Sequence, residues 1–100
     1  MTLNAEQVRE QLRQVYDPEL GVNIVDLGLV YDIRVTPEQI YIRMTLTTPG
    51  CPMHKMIVGG VERALQEQKE NRELEVDVVW EPRWSPEMMS DQAKEQLGYL

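Results

Sequence analysis

The stretch that decides the fold is Ile-Tyr-Ile-Arg-Met-Thr-Leu-Thr at residues 40–47, which runs directly into Thr-Pro-Gly-Cys-Pro at residues 48–52. Its apolar side chains fall at every second position, which is typical of a β-strand with one buried face. Pro52 suits the first turn of a helix, because its missing N–H would be unpaired there anyway. The stretch therefore predicts a strand, a tight junction and a helix.

At the N-terminus the sequence predicts an amphipathic helix. Asn4 and Gln7 have the spacing of a capping box. Asp17-Pro18 predicts the end of the helix, because the residue before proline is pushed out of the α region. The apolar stripe is expected at Ala5, Val8, Leu12 and Val15.

Between this helix and the deciding stretch, the pattern indicates a shaped loop at residues 17–28 and a strand at residues 29–35. Strict alternation places Tyr31 on the apolar face of that strand and Val30 on the polar face. A proline-containing turn then leads into residues 40–47, so the two runs predict a β-hairpin.

Beyond the junction the sequence predicts a helix, a third strand and a last helix. The third strand covers residues 74–80, with Trp80 on its apolar face. The last helix runs from Ser90, a natural N-cap, to Leu97, and Gly98 ends it. The buried stripe of the helix after Pro52 is expected at Met53, Met56, Ile57, Gly60, Val61, Ala64 and Leu65.

The predicted order is α-β-β-α-β-α, which gives an α/β fold of the α+β type. All three strands are half polar, so helices should cover one face of a small mixed sheet, as a two-layer sandwich. We expect Tyr41, Thr45 and Val79 on the open face. The 100 residues should form a single domain, 1–100.

Composition limits the function classes. The chain is 42% hydrophobic and 27% charged, as in a soluble globular protein, and no apolar run is long enough for a membrane span. A net charge of −7 argues against nucleic acid or an anionic membrane as the main partner. One cysteine excludes an internal disulfide, so a cytoplasmic location is expected.

Cys51 is the first candidate for chemistry. Gly50 leaves room for close approach, and a helix N-terminus favours the thiolate, which is both nucleophile and metal ligand. The alternative is a buried small hydrophobe, but the loop-to-helix junction favours a partly exposed, functional thiol. His54 is better interpreted as a solvent-facing residue than as a ligand, since a cationic histidine is disfavoured at a helix N-terminus.

Two carboxylates flank a rigid proline in Asp17-Pro18-Glu19. They are either solvated turn residues or, if near Cys51, groups that hold a metal ion or accept the thiol proton. Asp26 is interpreted as a cap for the turn before the first long strand. Trp84, within an apolar loop, either pins the last helix, walls a pocket or anchors a partner.

Five blocks occur in order along the chain: Asp17–Leu20, Val25–Tyr31, Thr45–Pro52, Trp84–Ser90 and Gln96–Gly98. Together they resemble the SufT/PaaD-like family, whose domain is also fused to some Mrp-type iron–sulfur carrier ATPases. The resemblance implies a domain of the iron–sulfur-cluster-assembly type and a non-enzymatic role in the assembly of clusters or the maturation of iron–sulfur proteins.

The resemblance also implies site residues. Cys51 would be the functional thiol and a metal ligand, with Asp17 and Glu19 as the acids beside it. The binding residues would be Thr47, Thr48, Gly50 and Trp84. Longer PaaD members carry a further cysteine-rich region that these 100 residues lack, and the position of Met88 is often basic in the family.

The implied cofactor is iron or an iron–sulfur cluster, held transiently. A [2Fe–2S] cluster normally takes four ligands, so Cys51 would need a homodimer, an external thiol or cysteines of a partner. The implied partners are iron–sulfur assembly proteins and client apo-proteins, not nucleic acid or membrane. Two other hypotheses remain open, a metal-free adaptor and a small thiol enzyme.

Overall fold

The structure, a computed structural model, describes residues 3–47 and 54–99. It is an α+β domain with a small mixed sheet, which confirms the predicted fold class. The elements are α1 (Ala5–Leu12), β1 (Tyr16–Asp17), β2 (Val22–Asn23), β3 (Val30–Val35), β4 (Gln39–Met44), α2 (His54–Ala64), α3 (Gln66–Lys69), β5 (Glu73–Val78), a 3₁₀ turn (Pro86–Met88) and α4 (Asp91–Leu97).

The main sheet has the strand order β3-β4-β5. β3 and β4 form the predicted antiparallel hairpin, with Ile33 opposite Ile42. β4 and β5 are parallel, with Ile42 opposite Val76. A parallel pair needs a crossover connection, and α2 and α3 lie in the chain between these strands.

The alternation predicted for residues 29–35 is wrong at its start, because β3 contains a bulge. The register with β4 shifts between Val30 and Asp32, which leaves Tyr31 as the extra residue. Because side chains alternate between the two faces of a sheet, one added residue exchanges the faces predicted for the side chains before it. Val30 therefore lies in the core opposite Met44, rather than on the polar face.

Helix α1 has the predicted capping box, since the Asn4 side chain accepts from Gln7 N at 2.9 Å and the Gln7 side chain accepts from Asn4 N at 3.0 Å. It ends earlier than predicted, at Leu12. The chain then continues in tight i→i+3 bonds, such as Val15 N to Leu12 O. That turn still brings Val15 into the core.

Residues 16–23 form a second, two-stranded sheet that sequence reasoning missed. Asp17 of β1 pairs with Val22 of β2.

The buried core lies between the main sheet and the helices. Its fully buried side chains include Val8, Leu12, Ile24, Leu27, Leu29, Ile40, Ile42, Met44, Val61 and Leu65. Among the helices of the described ranges, none combines the length and the apolar composition that a membrane span requires.

Three predicted side-chain positions are wrong. Met56 is 57% exposed, because the inward stripe of α2 is narrower than predicted and follows Ile57 and Val61. Trp80 is 39% exposed, because β5 ends at Val78. Thr45 is buried rather than on the open face, because it follows the end of β4 and faces the segment that carries Trp80.

Candidate functional site

Three of the predicted site residues meet at one cleft of about 260 Å³. Glu19 comes from the β1–β2 turn, Thr47 follows β4, and Trp84 precedes the 3₁₀ turn. The full lining is Glu19, Leu20, Thr47, Trp84, Met89, Leu97 and Tyr99. The structure therefore brings together residues from four of the five sequence blocks, and this cleft is the candidate site.

Asp17 shapes the turn that presents Glu19. It is buried, and its Oδ1 accepts hydrogen bonds from the backbone N–H of Glu19 at 2.8 Å and of Leu20 at 3.2 Å. This is the local bonding by which an aspartate fixes a turn. Asp17 does not line the cleft, so the two acids differ in position.

Trp84 is fixed to the loop before β3. Its indole Nε1 donates to the carbonyl oxygen of Leu27 at 2.6 Å. Six residues later, Ser90 N donates to Asp26 O at 2.7 Å. We call residues 84–90 the closing segment. These two bonds attach it to residues 26–28, and it thereby forms one wall of the cleft.

Gly28 allows the closing segment to approach this closely. Its φ is +80°, a left-handed conformation, and a Cβ there would lie 2.3 Å from Met88 O. Real Cβ atoms essentially never come within 3.0 Å of another heavy atom in this way. The position therefore requires glycine for two independent reasons.

The interpretation of Asp26 as a turn cap is wrong. Asn23 caps that turn, since its Oδ1 accepts from Val25 N at 3.0 Å and Asp26 N at 2.9 Å. Asp26 instead accepts from Asn23 Nδ2 at 2.6 Å and from Arg13 Nη1 at 2.8 Å. Its Arg13 bond joins the end of α1 to this loop.

The electrostatics of Asp26 agree with this role. Burial raises the pKa of the Asp26 carboxyl, but the hydrogen bonds from Asn23 and Arg13 and the charge of Arg13 outweigh it, so the pKa lies below its usual range. The carboxylate is thus charged at neutral pH.

A second cleft, of about 180 Å³, lies beside Thr47 and Trp84. It is lined by Thr45, Leu46, Thr47, Trp80, Arg83 and Trp84. Sequence reasoning gave Thr45 only a position on the open face of the sheet, and it did not consider Arg83. Their proximity depends on how the segment after β5 returns over the end of β4, which no local pattern encodes.

The predicted residues Thr48, Gly50 and Cys51, together with Pro52 and Met53, lie outside the described residues. Thr47 precedes this segment and His54 follows it. His54 is exposed, as its solvent-facing interpretation predicts. Within 3–47 and 54–99, no three His, Cys, Asp or Glu residues lie close enough together to hold a metal ion.

Comparison with known proteins places the chain in a family. The family model described as iron–sulfur cluster assembly protein matches residues 5–78. The chain is 47% identical over 94 residues to the Fe-S protein maturation auxiliary factor YitW of Bacillus subtilis, covering 93% of this chain and 92% of that protein. It is 48% identical over 85 residues to the Fe-S protein maturation auxiliary factor SufT of Staphylococcus aureus, covering 84% of this chain and 97% of the relative.

A solved structure agrees with these relatives. The crystal structure of a domain of unknown function, DUF59, from Bacillus anthracis superimposes with a TM-score of 0.87 at 45% identity, covering 95% of this chain and 92% of the other. The resemblance inferred from the ordered blocks is confirmed: the chain belongs to the iron–sulfur cluster assembly protein family, in its SufT/PaaD-like branch.

Proposed function

We propose that this protein is a cytoplasmic accessory factor in iron–sulfur cluster assembly or in the maturation of iron–sulfur proteins, and that it acts through the Cys51 thiol. Family membership supports the general role. The observation that carries the proposal is the cleft shared by Glu19, Thr47 and Trp84, because the chain runs from Thr47 directly into the segment with Cys51.

In this proposal iron or a cluster is cargo, held transiently. Thiolate sulfur suits iron–sulfur chemistry, and carboxylate oxygen is a ligand for iron as well. Glu19 would be the acid that assists Cys51, and its position in the lining of the cleft that Thr47 also lines supports this role. Asp17 would act on Glu19 through the turn, because its Oδ1 already accepts two backbone N–H bonds.

One thiol per chain does not complete the four ligands of a [2Fe–2S] cluster. The remaining ligands would come from a second copy in a homodimer, an external thiol, or the cysteines of an assembly protein or client apo-protein. Both relatives are named as maturation factors rather than as enzymes. We propose the same non-enzymatic role for this chain.

Anaerobic reconstitution with iron and sulfide tests the proposal, followed by assay of a client iron–sulfur enzyme in cells that depend on this protein. Cys51→Ser should abolish the visible absorption and the client's activity, and Glu19→Gln should weaken both. Glu38→Gln, at an exposed turn position, is the matched control and should resemble wild type. Equal absorption and equal client maturation by wild type and Cys51→Ser would reject a role for the thiol.

A second candidate function is a metal-free adaptor between an assembly machine and its clients. It is favoured by the exposure of large apolar side chains on and around the closing segment, with Trp80 39%, Met88 38% and Tyr99 60% exposed. In that case Trp80→Ala should lower capture of assembly proteins while Cys51→Ser leaves it unchanged. The reverse order of effects would reject the adaptor.

A further inference from the structure

Strand β5 lies at one edge of the main sheet, with β4 as its neighbour among the described strands. Its bonds to β4 come from alternate residues, beginning with Glu73 N, which donates to Glu38 O at 2.9 Å. In such a parallel pair the residues between them point their N–H and C=O groups away from the partner strand. These groups belong to Leu74, Val76 and Val78, and no described strand takes them up.

The two edges of the sheet differ in how accessible they are to a further strand. At the other edge, β3 packs against α1 and carries the bulge at Tyr31, which interrupts the regular row of groups that an added strand would need. β5 keeps an unbroken register with β4 from Glu73 to Val78, and β4 alone among the described elements contacts it extensively. β5 therefore presents a regular row of backbone donors and acceptors.

The inward side chains of β5 are incompletely covered. Leu74, Val76 and Val78 pack against the core but are only partly buried, whereas Ile40 and Ile42 of β4 are fully buried. A strand added beyond β5 would place its own inward side chains against this row. The edge thus offers apolar area as well as backbone hydrogen bonds.

The outward side chains of β5 form an acidic row of Glu73, Glu75 and Asp77. They share the open face of the sheet with β4, since Tyr41 donates to Asp77 Oδ2 at 2.9 Å and Gln39 donates to Glu75 Oε1 at 3.4 Å. Within the described ranges, the three acids take part in none of the ion pairs. Opposite charges across a strand pair are favourable and like charges unfavourable, so this row favours a basic strand and disfavours a second copy of β5.

We propose that the β5 edge binds an extended segment of a partner protein as an added antiparallel strand. Every second residue of that segment is basic and lies opposite the acidic row, and the residues between are apolar and lie opposite Leu74, Val76 and Val78. Backbone bonds supply the affinity and the two rows of side chains supply the selectivity. The net charge of −7 favours the encounter with a basic segment. The site involves neither cleft and does not depend on the role of Cys51.

A six-residue peptide of alternating valine and lysine, blocked at both ends and fluorescently labelled, is the probe, since β5 also has six residues. Fluorescence anisotropy should show saturable binding, and a peptide with glutamate in place of lysine should bind about tenfold more weakly. Equal affinity for the two peptides would overturn the proposal.

The acidic row is tested by substitution. Arg43 of β4 lies opposite Asp77 and offsets its charge, so the variant combines Glu73→Gln with Glu75→Gln. It should bind the lysine peptide about fivefold more weakly. Glu62→Gln, which removes an exposed acid from α2, is the matched control and should bind as wild type does. Equal affinities in the double variant and the control would contradict the assigned edge.

N-methylation of the peptide separates strand addition from attraction between charges alone. In the antiparallel arrangement the valines exchange N–H and C=O bonds with β5, while the N–H groups of the lysines point away. Methylating the valine nitrogens should abolish binding, and methylating the lysine nitrogens should leave it nearly unchanged. Equal binding of the two methylated peptides would overturn the proposal.

Amide hydrogen exchange shows where the peptide lies. Saturating peptide should slow exchange on the order of tenfold at Val76 and leave Glu75 unchanged, because the N–H of Glu75 already points towards β4. Unchanged exchange at Val76 with the peptide bound would place it elsewhere. Exchange at Val76 that is slow in the protein alone and becomes faster on dilution would assign the edge to a second copy. Either result would overturn the proposal.

Discussion

The contact between Gly28 and the closing segment makes a sharp prediction about stability. In Gly28→Ala the new Cβ would lie 2.3 Å from Met88 O and 2.8 Å from Met88 C, both backbone atoms that cannot rotate away. The left-handed conformation at φ +80° costs an alanine about 1–2 kcal/mol. Forcing packed groups apart adds about 1–3 kcal/mol. We expect a total loss of about 3 kcal/mol in the free energy of unfolding.

Gly21→Ala is the matched control, because Gly21 has a similar φ of +68° but a Cβ at that position would meet no other atom within 4 Å. It should lose about 1–2 kcal/mol from the backbone alone. Urea unfolding measures both variants, and the difference between them isolates the contact with Met88. The indole N–H resonance of Trp84 should also move in Gly28→Ala, since Trp84 belongs to the same segment. Equal losses in the two variants would refute the inferred close packing.

Three further predictions concern hydrogen bonds around the two clefts. Trp84→Phe keeps a ring but removes the donor to Leu27 O, and should lower the free energy of unfolding by about 1 kcal/mol in urea with an unchanged m-value. The pKa of Asp26 is lowered in the folded protein, so its contribution to stability is present above the unfolded pKa of about 4 and is lost as pH falls through the folded pKa. Asp26→Asn should lower the free energy of unfolding by about 1–2 kcal/mol at pH 7 and should make its decrease at acid pH less steep. A decrease as steep as in wild type would contradict the charged role of Asp26. Asp17→Asn keeps an oxygen for the turn N–H groups, so it should retain the client maturation that Glu19→Gln weakens, and a loss equal to that of Cys51→Ser would show that Asp17 acts directly.

The elements that sequence predicted well are those set by local chemistry. The alternation of Ile40, Ile42 and Met44 identified the central strand. The Asn4 capping box also depends on residues within one turn of helix. Such features are specified by neighbours in sequence, so they need no tertiary information.

The elements that sequence mispredicted depend on tertiary context. The bulge at Tyr31 inserts one residue without any change in composition, and the burial of Thr45 depends on a segment that arrives after β5. The exchange of roles between Asn23 and Asp26 had a usable signal, because an Asn side chain two residues before a backbone N–H often forms an Asx turn.

The residues themselves singled out Glu19 and Trp84 with their alternatives open, and only the resemblance joined them with Thr47 in one site. Glu19, Thr47 and Trp84 are far apart in the chain, and no periodicity connects them. The family match ends at residue 78, whereas Trp84 lies beyond it. The closing segment is nevertheless attached to residues 26–28 by the bonds of Trp84 and Ser90, within the matched part.

Thr47 and Trp84 line both clefts, and this arrangement determines which variants report on one cleft alone. A change at Trp84 or Gly28 shifts a wall that the clefts share, so its effect on function is ambiguous. Glu19 lines one cleft and Thr45 the other. If the clefts act independently, Glu19→Gln and Thr45→Val should combine additively in client maturation, as distant sites do. A double variant whose loss departs from the sum of the single losses would show that the shared wall couples the two clefts.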